Sequence, residues 1–413
     1  MAAYSKSGSD ACLVINAGSS SLKFCVFQTG NKGGGNAAEL EPVVTGQISG
    51  IGTAPRFEAK DAARHKIADH SWAAGENPGR PELLHHLLDW IGDTLKGATL
   101  VAAGHRVVHG GTRFSAPVRV TPAVLDQLEE LIPLAPLHEP HNIAAMRALA
   151  QVYPSLPQVA CFDTAFHQTQ PWQSQTFAIP RELTAEGIRR YGFHGLSYEY
   201  IAHRLPQVAP ELANAHVVVC HLGSGASLCA MRAGHSVDTT MGFTALDGVP
   251  MGTRPGAIDP GVLIYLMREK GYGADELETL LYHKSGMLGV SGLSNDMRDL
   301  ENSDLPAAAE AVELFCHNVA KQVAALAGSM GGLDAVVFTA GVGENSTLVR
   351  ARVAEKLGWL GVSIDAAANR AKATRISAQD SRVPVFIIPT DEERMIARHT
   401  LGVIAAEALS RAA

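Results

Sequence analysis

Two segments of this 413-residue chain repeat one short design, and that echo limits the possible folds more than any other feature. LVINAGSSSLKFCVF (Leu13 to Phe27) and VVVCHLGSGASLCAM (Val217 to Met231) each run from an apolar strand, through a turn of glycines and hydroxyls, into a second strand starting at Ser-Leu. Apolar runs separated by Gly and Ser are a hairpin signal. The same hairpin in both halves predicts a duplicated two-domain molecule, and at roughly 100 to 200 residues per domain the length supplies enough core for it.

Further β-rich runs fit this plan: TLVAAGHRVVHGG from Thr99, LPQVACFDTAF from Leu156, LDAVVFTAGVGEN from Leu333 and VPVFIIPTDEE from Val383. Between and after them, residues 81–96, 122–131, 143–152, 307–330 and 392–409 place apolar side chains at three-to-four spacing, the mark of amphipathic helices. The last of these opens on an acidic pair, which suits a helix N-terminus. Strands alternating with helices predict an α/β architecture. The stretch NKGGGNAAE, from Asn31, reads as a flexible hairpin tip or insertion.

Charge and composition exclude several classes of function. Lys plus Arg number 34 against 41 Asp plus Glu, a net charge of −7, so no diffuse positive field exists to track a nucleic-acid backbone. Anionic ligands must instead be held by a few local cations and backbone amides. The six cysteines (Cys12, Cys25, Cys161, Cys220, Cys229, Cys316) form no C-x-x-C pair and sit mostly in apolar runs, so they read as small reduced core residues. No apolar run reaches the roughly 18 residues of a membrane span. MAAYSKSGSD at the start lacks a signal core, so the expectation is a cytoplasmic protein with its first residues frayed.

Three Gly/Ser turns after apolar strands could aim backbone N–H groups and hydroxyls at a phosphate. In AGSSSLK, Ser19, Ser20 and Ser21 stand close to Lys23; in HLGSGAS, His221 precedes Gly223, Ser224 and Gly225. In FTAGVGENS, Gly341 and Gly343 leave room for a ligand against the backbone, with Glu344 and Asn345 beside it for a ribose or base edge. Any one of these is compatible with an ordinary tight turn. Neither the P-loop pattern nor the third glycine of the dinucleotide fingerprint occurs, so an ATP site must have another architecture. Arg106 in GHRVVHGG, Asp163 in CFDTAFH, His194 in YGFHGLS and Arg254 in MGTRPGAIDP interrupt or end runs that ought to be buried. Singly, each fits a capped or salt-bridged structural residue. As a set, two guanidiniums, an imidazole and a carboxylate are what phosphoryl transfer to a carboxylate demands, because acceptor anion and triphosphate repel each other and bidentate arginines relieve that repulsion.

The motifs VINAGSSSLKF, GHRVVHGG, CFDTAFHQT, YGFHGLS, CHLGSGAS, MGTRPG, FTAGVGENS and IPTDEERMIA, in this order from about Cys12 to Leu409, resemble those of the acetokinase family, within the actin, hexokinase and Hsp70-like ATPase superfamily. The resemblance implies an α/β, duplicated ribonuclease H-like two-domain fold with an interdomain active-site cleft. Residues 1–164, completed by a C-terminal helix over 395–413, would form an N-terminal actin-like ATPase domain, and 165–394 a C-terminal, nucleotide-binding one. It implies reversible transfer of the ATP γ-phosphoryl group to acetate, with Mg2+ or substituting Mn2+ as cofactor, a homodimer, and neither nucleic acid nor membrane as partner.

Carried over residue by residue, the resemblance places Asn16 and Glu392 at the metal and Lys23, Ser19 and Ser21 at phosphate. Arg106 becomes the substrate arginine and Asp163 the acid/base position. Because acetate is already ionised at neutral pH, the expected task of Asp163 is to orient an arginine or a metal-bound water. His194 and Arg254 match transition-state stabilisers, and His138 in PLHEPHN another active-site histidine. The stretches His221, Leu222, Gly223, Ser224, Gly225; Asp296, Met297, Arg298; and Gly341, Val342, Gly343, Glu344, Asn345 would bind nucleotide. Val108, Leu137 and Phe193 would line a small acyl pocket. Departures from the usual family pattern fall at Ser224, Ala245, Pro255, Ala257 and Asp391; Ser224 bears on nucleotide preference and Ala245 on the width of the acyl site. The rivals are a propionate or butyrate kinase of the same fold and, from another class, a nucleotide-binding sensor or chaperone-like ATPase.

Overall fold

Strand β1 (Asp10–Ala17) returns antiparallel as β2 (Leu22–Thr29), with Asn16 opposite Lys23 and Ala17 opposite Leu22. These belong to a computed structural model, which describes residues 10–18, 21–29, 40–73, 76, 78–95 and 98–412. The first residues, expected to fray, together with Ser19, Ser20 and the Asn31 glycine-rich segment, lie outside the described residues. The chain divides into two units, Met1–Ala165 with Asp391–Ala413, and Phe166–Thr390. Return to the first unit falls at Asp391, earlier than the expected 395. Asp391 caps the helix Glu392–Ala412, accepting the Arg394 N–H at 2.9 Å and Nε–H at 2.8 Å.

In the first unit β1 and β2 are joined by β3 (Glu41–Ser49), β4 (Arg56–Asp61), β5 (Lys66–Ser71), β6 (Thr99–Val107), β7 (Val118–Arg119) and β8 (Gln158–Phe162), in the order β5-β4-β3-β2-β1-β6-β8-β7. The second unit orders β9 (His216–Leu222), β10 (Ala226–Arg232), β11 (His235–Thr239), β12 (Ala335–Thr339) and β13 (Val385–Ile387) as β11-β10-β9-β12-β13. In both sheets the hairpin strands pair antiparallel, and the first of them pairs parallel with the strand on its other side. The run β3-β2-β1-β6-β8 thus has the same pattern as the whole second sheet. That match makes the sequence echo a true structural repeat, with two mixed sheets in an α/β fold.

Parallel strands need crossovers, and helices supply them: Glu139–Val152 lies between β6 and β8, and Pro306–Met330 between β9 and β12. Central strands covered on both faces read as continuous apolar runs rather than alternations, and β8 and β12 are buried at every residue. The edge strand β5, KIADHS, is almost wholly exposed. The C-terminal helix packs across β6, β1 and β8 of its own unit. Gly104 on β6 permits that approach, since a Cβ there would collide with the side chains of Thr400 and Ile396.

Candidate active site

In the first unit the parallel register fixes a polar cluster at the strand ends. Arg106, near the end of β6, aligns with Cys161 of β8, and Asp163 follows that strand directly. The guanidinium grips Asp163 by two bonds, Nη2–H to Oδ2 at 2.5 Å and Nε–H to Oδ1 at 3.2 Å, and Nη1 donates to Asn16 Oδ1 at 3.4 Å. Glu392, at the start of the C-terminal helix, stands 3.9 Å from Arg106 Nε. Asp163 is buried, while the Arg106 and Glu392 side chains keep 17% and 18% exposure, so the cluster opens on one side. Burial pushes the Glu392 carboxyl up to about 7; Arg106 opposes this, and Asp163 and Glu393 reinforce it.

Excess negative charge of this kind suits a cation. Asn16 and Glu392 offer oxygen donors, which hard cations prefer. Among the described residues no group of three or more His, Cys, Asp or Glu side chains is arranged to hold a metal. An ion here would therefore keep water or phosphate oxygens in its shell, as Mg2+ usually does. Lys23, exposed on β2 opposite Asn16, is close enough to lower the Glu392 pKa. Val108 is buried, and Leu137 and His138 are half-buried just before the helix Glu139–Val152.

The second unit places its own cluster around the hairpin turn between β9 and β10. His194 precedes the helix Gly195–Val208 in the left-handed conformation (φ 57°, ψ 24°), an unusual geometry for a residue with a Cβ. Its ring stacks on that of His221 at 4.1 Å between centroids and 15° between planes. His194 Nδ1 lies 2.8 Å from Ser227 Oγ, and the Tyr198 hydroxyl lies 2.5 Å from the same oxygen. His221 Nδ1 is 2.8 Å from Ser197 Oγ. Arg254 donates from Nη1 to the Ala245 carbonyl at 2.7 Å. A Cβ added at Gly225 would sit 2.7 Å from Arg254 Nη2 and 3.3 Å from His194 Nε2, so the two polar groups converge over that glycine.

The other residues of the turn, Gly223 and Ser224, line a cavity of about 680 Å³. Asp296, Met297 and Arg298 contribute a wall, and Gly341, Val342 and Asn345 another. Its size falls within the usual range for a small-molecule site. Gly343 and Glu344 do not line it. Glu344 turns back to accept the N–H groups of Ala340 at 2.8 Å and Thr390 at 3.2 Å, which fixes the helix Ala340–Asn345 to its own unit. Leu222 is buried beneath the turn, as is most of His221. Phe193, expected in the acyl pocket, is buried in the second unit.

Several residues that shape these clusters carried no signal in the sequence. Arg350, in TLVRARVAEK, looks like a solvated helix position yet is 0% exposed. It donates to the Gly343 carbonyl at 2.8 Å and twice to Asn369, so it anchors one cavity wall from behind. Ser227 and Tyr198 lie in apolar strand and helix patterns, and their hydroxyls become informative only once His194 is beside them. Glu301, whose carboxylate accepts from Ser346 Oγ, lines the cavity and could have been suspected only from its closeness to the SNDMRDL motif.

The family profile described as the acetokinase family matches residues 11–398. An acetate kinase of Nitrobacter hamburgensis is 50% identical over 395 residues, covering 96% of each chain. One of Methylocella silvestris is 51% identical over 393 residues, covering 95% of this chain and 97% of its own. Among solved structures, a propionate kinase from Francisella tularensis superposes with a TM-score of 0.88 at 39% identity, over 95% of this chain and 100% of that one. An acetate kinase from Porphyromonas gingivalis gives 0.83 at 34% identity, over 96% and 100% respectively.

Proposed function

The chain belongs to the acetokinase family, and on that premise we propose that it transfers the γ-phosphoryl group of ATP reversibly and directly to acetate, giving acetyl phosphate and ADP. The observation that carries this reading is the convergence of Arg254 and His194 on Gly225, in the turn that lines the 680 Å³ cavity. Cationic and N–H donors beside a turn that lines a cavity of small-molecule size suit the charge that develops on a migrating phosphoryl group.

Acetate needs no base, because its carboxyl group is ionised at neutral pH. Asp163 therefore serves to hold Arg106: two of the five guanidinium N–H donors go to Asp163 and a third to Asn16, leaving two for an acceptor carboxylate. Val108 and Leu137 are the apolar neighbours offered to its methyl group. In the second unit Ser227 Oγ lies between the Tyr198 hydroxyl and His194 Nδ1; with Tyr198 donating to Ser227 and Ser227 to Nδ1, the imidazole proton would sit on Nε2. That N–H and Arg254 Nη2 would donate to phosphoryl oxygens. Asn16 and Glu392 would hold Mg2+, which when bound supplies charge neutralisation to the phosphates. Both substrates are small soluble anions, in keeping with a cytoplasmic enzyme; among the described residues no helix is long and apolar enough to cross a membrane.

A propionate kinase is the second reading, favoured by the likeness to the Francisella tularensis enzyme. Trapping acyl phosphate with hydroxylamine across short acids separates the two. One methylene is worth about 1–3 kcal/mol in such a pocket, so kcat/KM is expected to fall about 10- to 200-fold from acetate to propionate and further for butyrate. A maximum at propionate would assign the second reading. ATP hydrolysis without any acyl phosphate would remove both.

The homodimer is supported by the helix Pro260–Lys270, which buries none of its residues although it contains the run VLIYLM. Ile264, Tyr265 and Met267 are more than half exposed, at 51%, 54% and 52%. Contiguous apolar surface of this kind marks an interaction site, and a second copy of the chain is the partner proposed. Ile264→Glu combined with Tyr265→Glu is expected to halve the mass measured by light scattering. Either an unchanged mass or a monomeric parent protein would contradict this assignment.

A further inference from the structure

Close to Arg106 is a carboxyl group that the reading above leaves without a task. Glu139 opens the helix Glu139–Val152 and is fully buried. Its Oε1 accepts the His109 N–H at 2.9 Å, while Oε2 is buried with no hydrogen-bond partner among the described residues. One turn on, buried Asn142 accepts the Val108 N–H at 3.1 Å and donates to the Ala17 carbonyl at 2.8 Å. Val108 and His109 continue the strand that carries Arg106, and Ala17 follows Asn16. The first turn of this helix therefore grips both strand ends that bring Arg106 and Asn16 together.

We propose that Glu139 and Asn142 are positioning residues for the acceptor half of the site, and that Glu139 does this as a neutral carboxylic acid whose ionisation at alkaline pH weakens the hold of Arg106 on acetate. The inference rests on the phosphotransferase reading. An ionised carboxylate wants several donors, and here a single amide meets one oxygen while the other meets none among the described residues, so the buried anion is the costly form. The charged and titratable groups facing it are few. Arg106 and the helix N-terminus favour the anion, and Asp163 disfavours it. His109 is held by burial at about 4 and stays neutral across the working range. His138, just before the helix, and His141, on it, flank Glu139, and burial with Arg80 lowers the His141 pKa. Burial outweighs the rest and pushes Glu139 up to about 8. Above that pH a second anion joins Asp163 in competing with acetate for one guanidinium.

The test compares the parent enzyme with Glu139→Gln, Glu139→Ala and Asn142→Ala from about pH 6 to about pH 9.5. Expected for the parent is a kcat/KM for acetate that falls up to about tenfold per pH unit above its apparent pKa, with KM for ATP unmoved. Glu139→Ala, which removes the acceptor, should lose about tenfold or more at every pH. Glu139→Gln keeps the acceptor without the charge; it should restore neutral-pH activity and abolish the alkaline fall. Asn142→Ala should raise KM for acetate at all pH values and retain the fall. A fall that persists in Glu139→Gln, or a folded Glu139→Gln that is inactive at neutral pH, would overturn the inference.

Thermal unfolding provides a readout independent of turnover. The native chain keeps a proton on Glu139 that the unfolded chain loses at ordinary carboxyl pKa, so this stabilisation is complete at acid pH and is lost as pH rises toward about 8. The Tm of the parent relative to Glu139→Gln should decline over that window, and a pH-independent difference would contradict the neutral-acid assignment. If the parent forms no acyl phosphate at all, the functional reading fails, and the unfolding comparison still decides the state of Glu139.

Discussion

Alanine in place of Arg106 is expected to lower kcat/KM for acetyl phosphate formation by about 10³ or more, the scale of losing a charge that stabilises the transition state. It should also cost about 3–5 kcal/mol of stability, because Asp163 is buried and its charge would lose the guanidinium that grips it. Glu392, already raised by burial, would lose the cation that most opposes that rise. The two effects can be separated. Arg106→Ala combined with Asp163→Asn removes the buried anion and should recover most of the stability seen in denaturant unfolding, while the trapped acyl phosphate stays at the single-variant level. Recovery of activity with stability would mean that Arg106 serves the fold alone.

Arg254→Ala is expected to behave differently, with kcat falling about 10²- to 10³-fold, KM for ATP changing by less than about threefold, and little loss of stability. Among the described residues Arg254 makes no ion pair; the bond that anchors it is to the Ala245 carbonyl. Burial draws its pKa down, and Tyr282 acts against that. A guanidinium held by one carbonyl, with Nη2 facing Gly225, keeps most of its donors for an incoming anion. Arg254→Lys should rescue poorly, since an ammonium lacks the planar fork. Initial-rate kinetics over ATP and acetate check this. A rise in KM for ATP at constant kcat would assign Arg254 to ground-state binding of the nucleotide.

The repeated hairpin was legible because a Gly/Ser turn flanked by apolar strands states its geometry locally, and the matching strand orders of the two sheets follow from it. Arg106 and Asp163 were nameable as polar interruptions and Glu392 as an acidic helix start, while Asn16 came only from the resemblance to the acetokinase family; the fold brings the four into one cluster. Glu139 was not legible, because Glu after His in PLHEPHN is an ordinary way to begin a helix and nothing local reveals complete burial. Arg350 hid for a similar reason: a charged helical residue is normally solvated, and only the carbonyls of Gly343 and Asn369 explain its burial. Glu344 fitted a loop that touches a ribose; what the pattern did not show is that one oxygen of its carboxylate accepts the backbone N–H groups of Ala340 and Thr390. In each case tertiary contact, invisible to pattern, decided the role.

Direct passage of phosphorus between two oxygens is tested most plainly by stereochemistry. ATP made chiral at the γ-phosphorus with oxygen isotopes, incubated with acetate and the enzyme, should give acetyl phosphate of inverted configuration, the outcome of one in-line displacement. Retention would require two displacements through a phosphorylated side chain, and would contradict a mechanism in which arginines only neutralise and align the two anions.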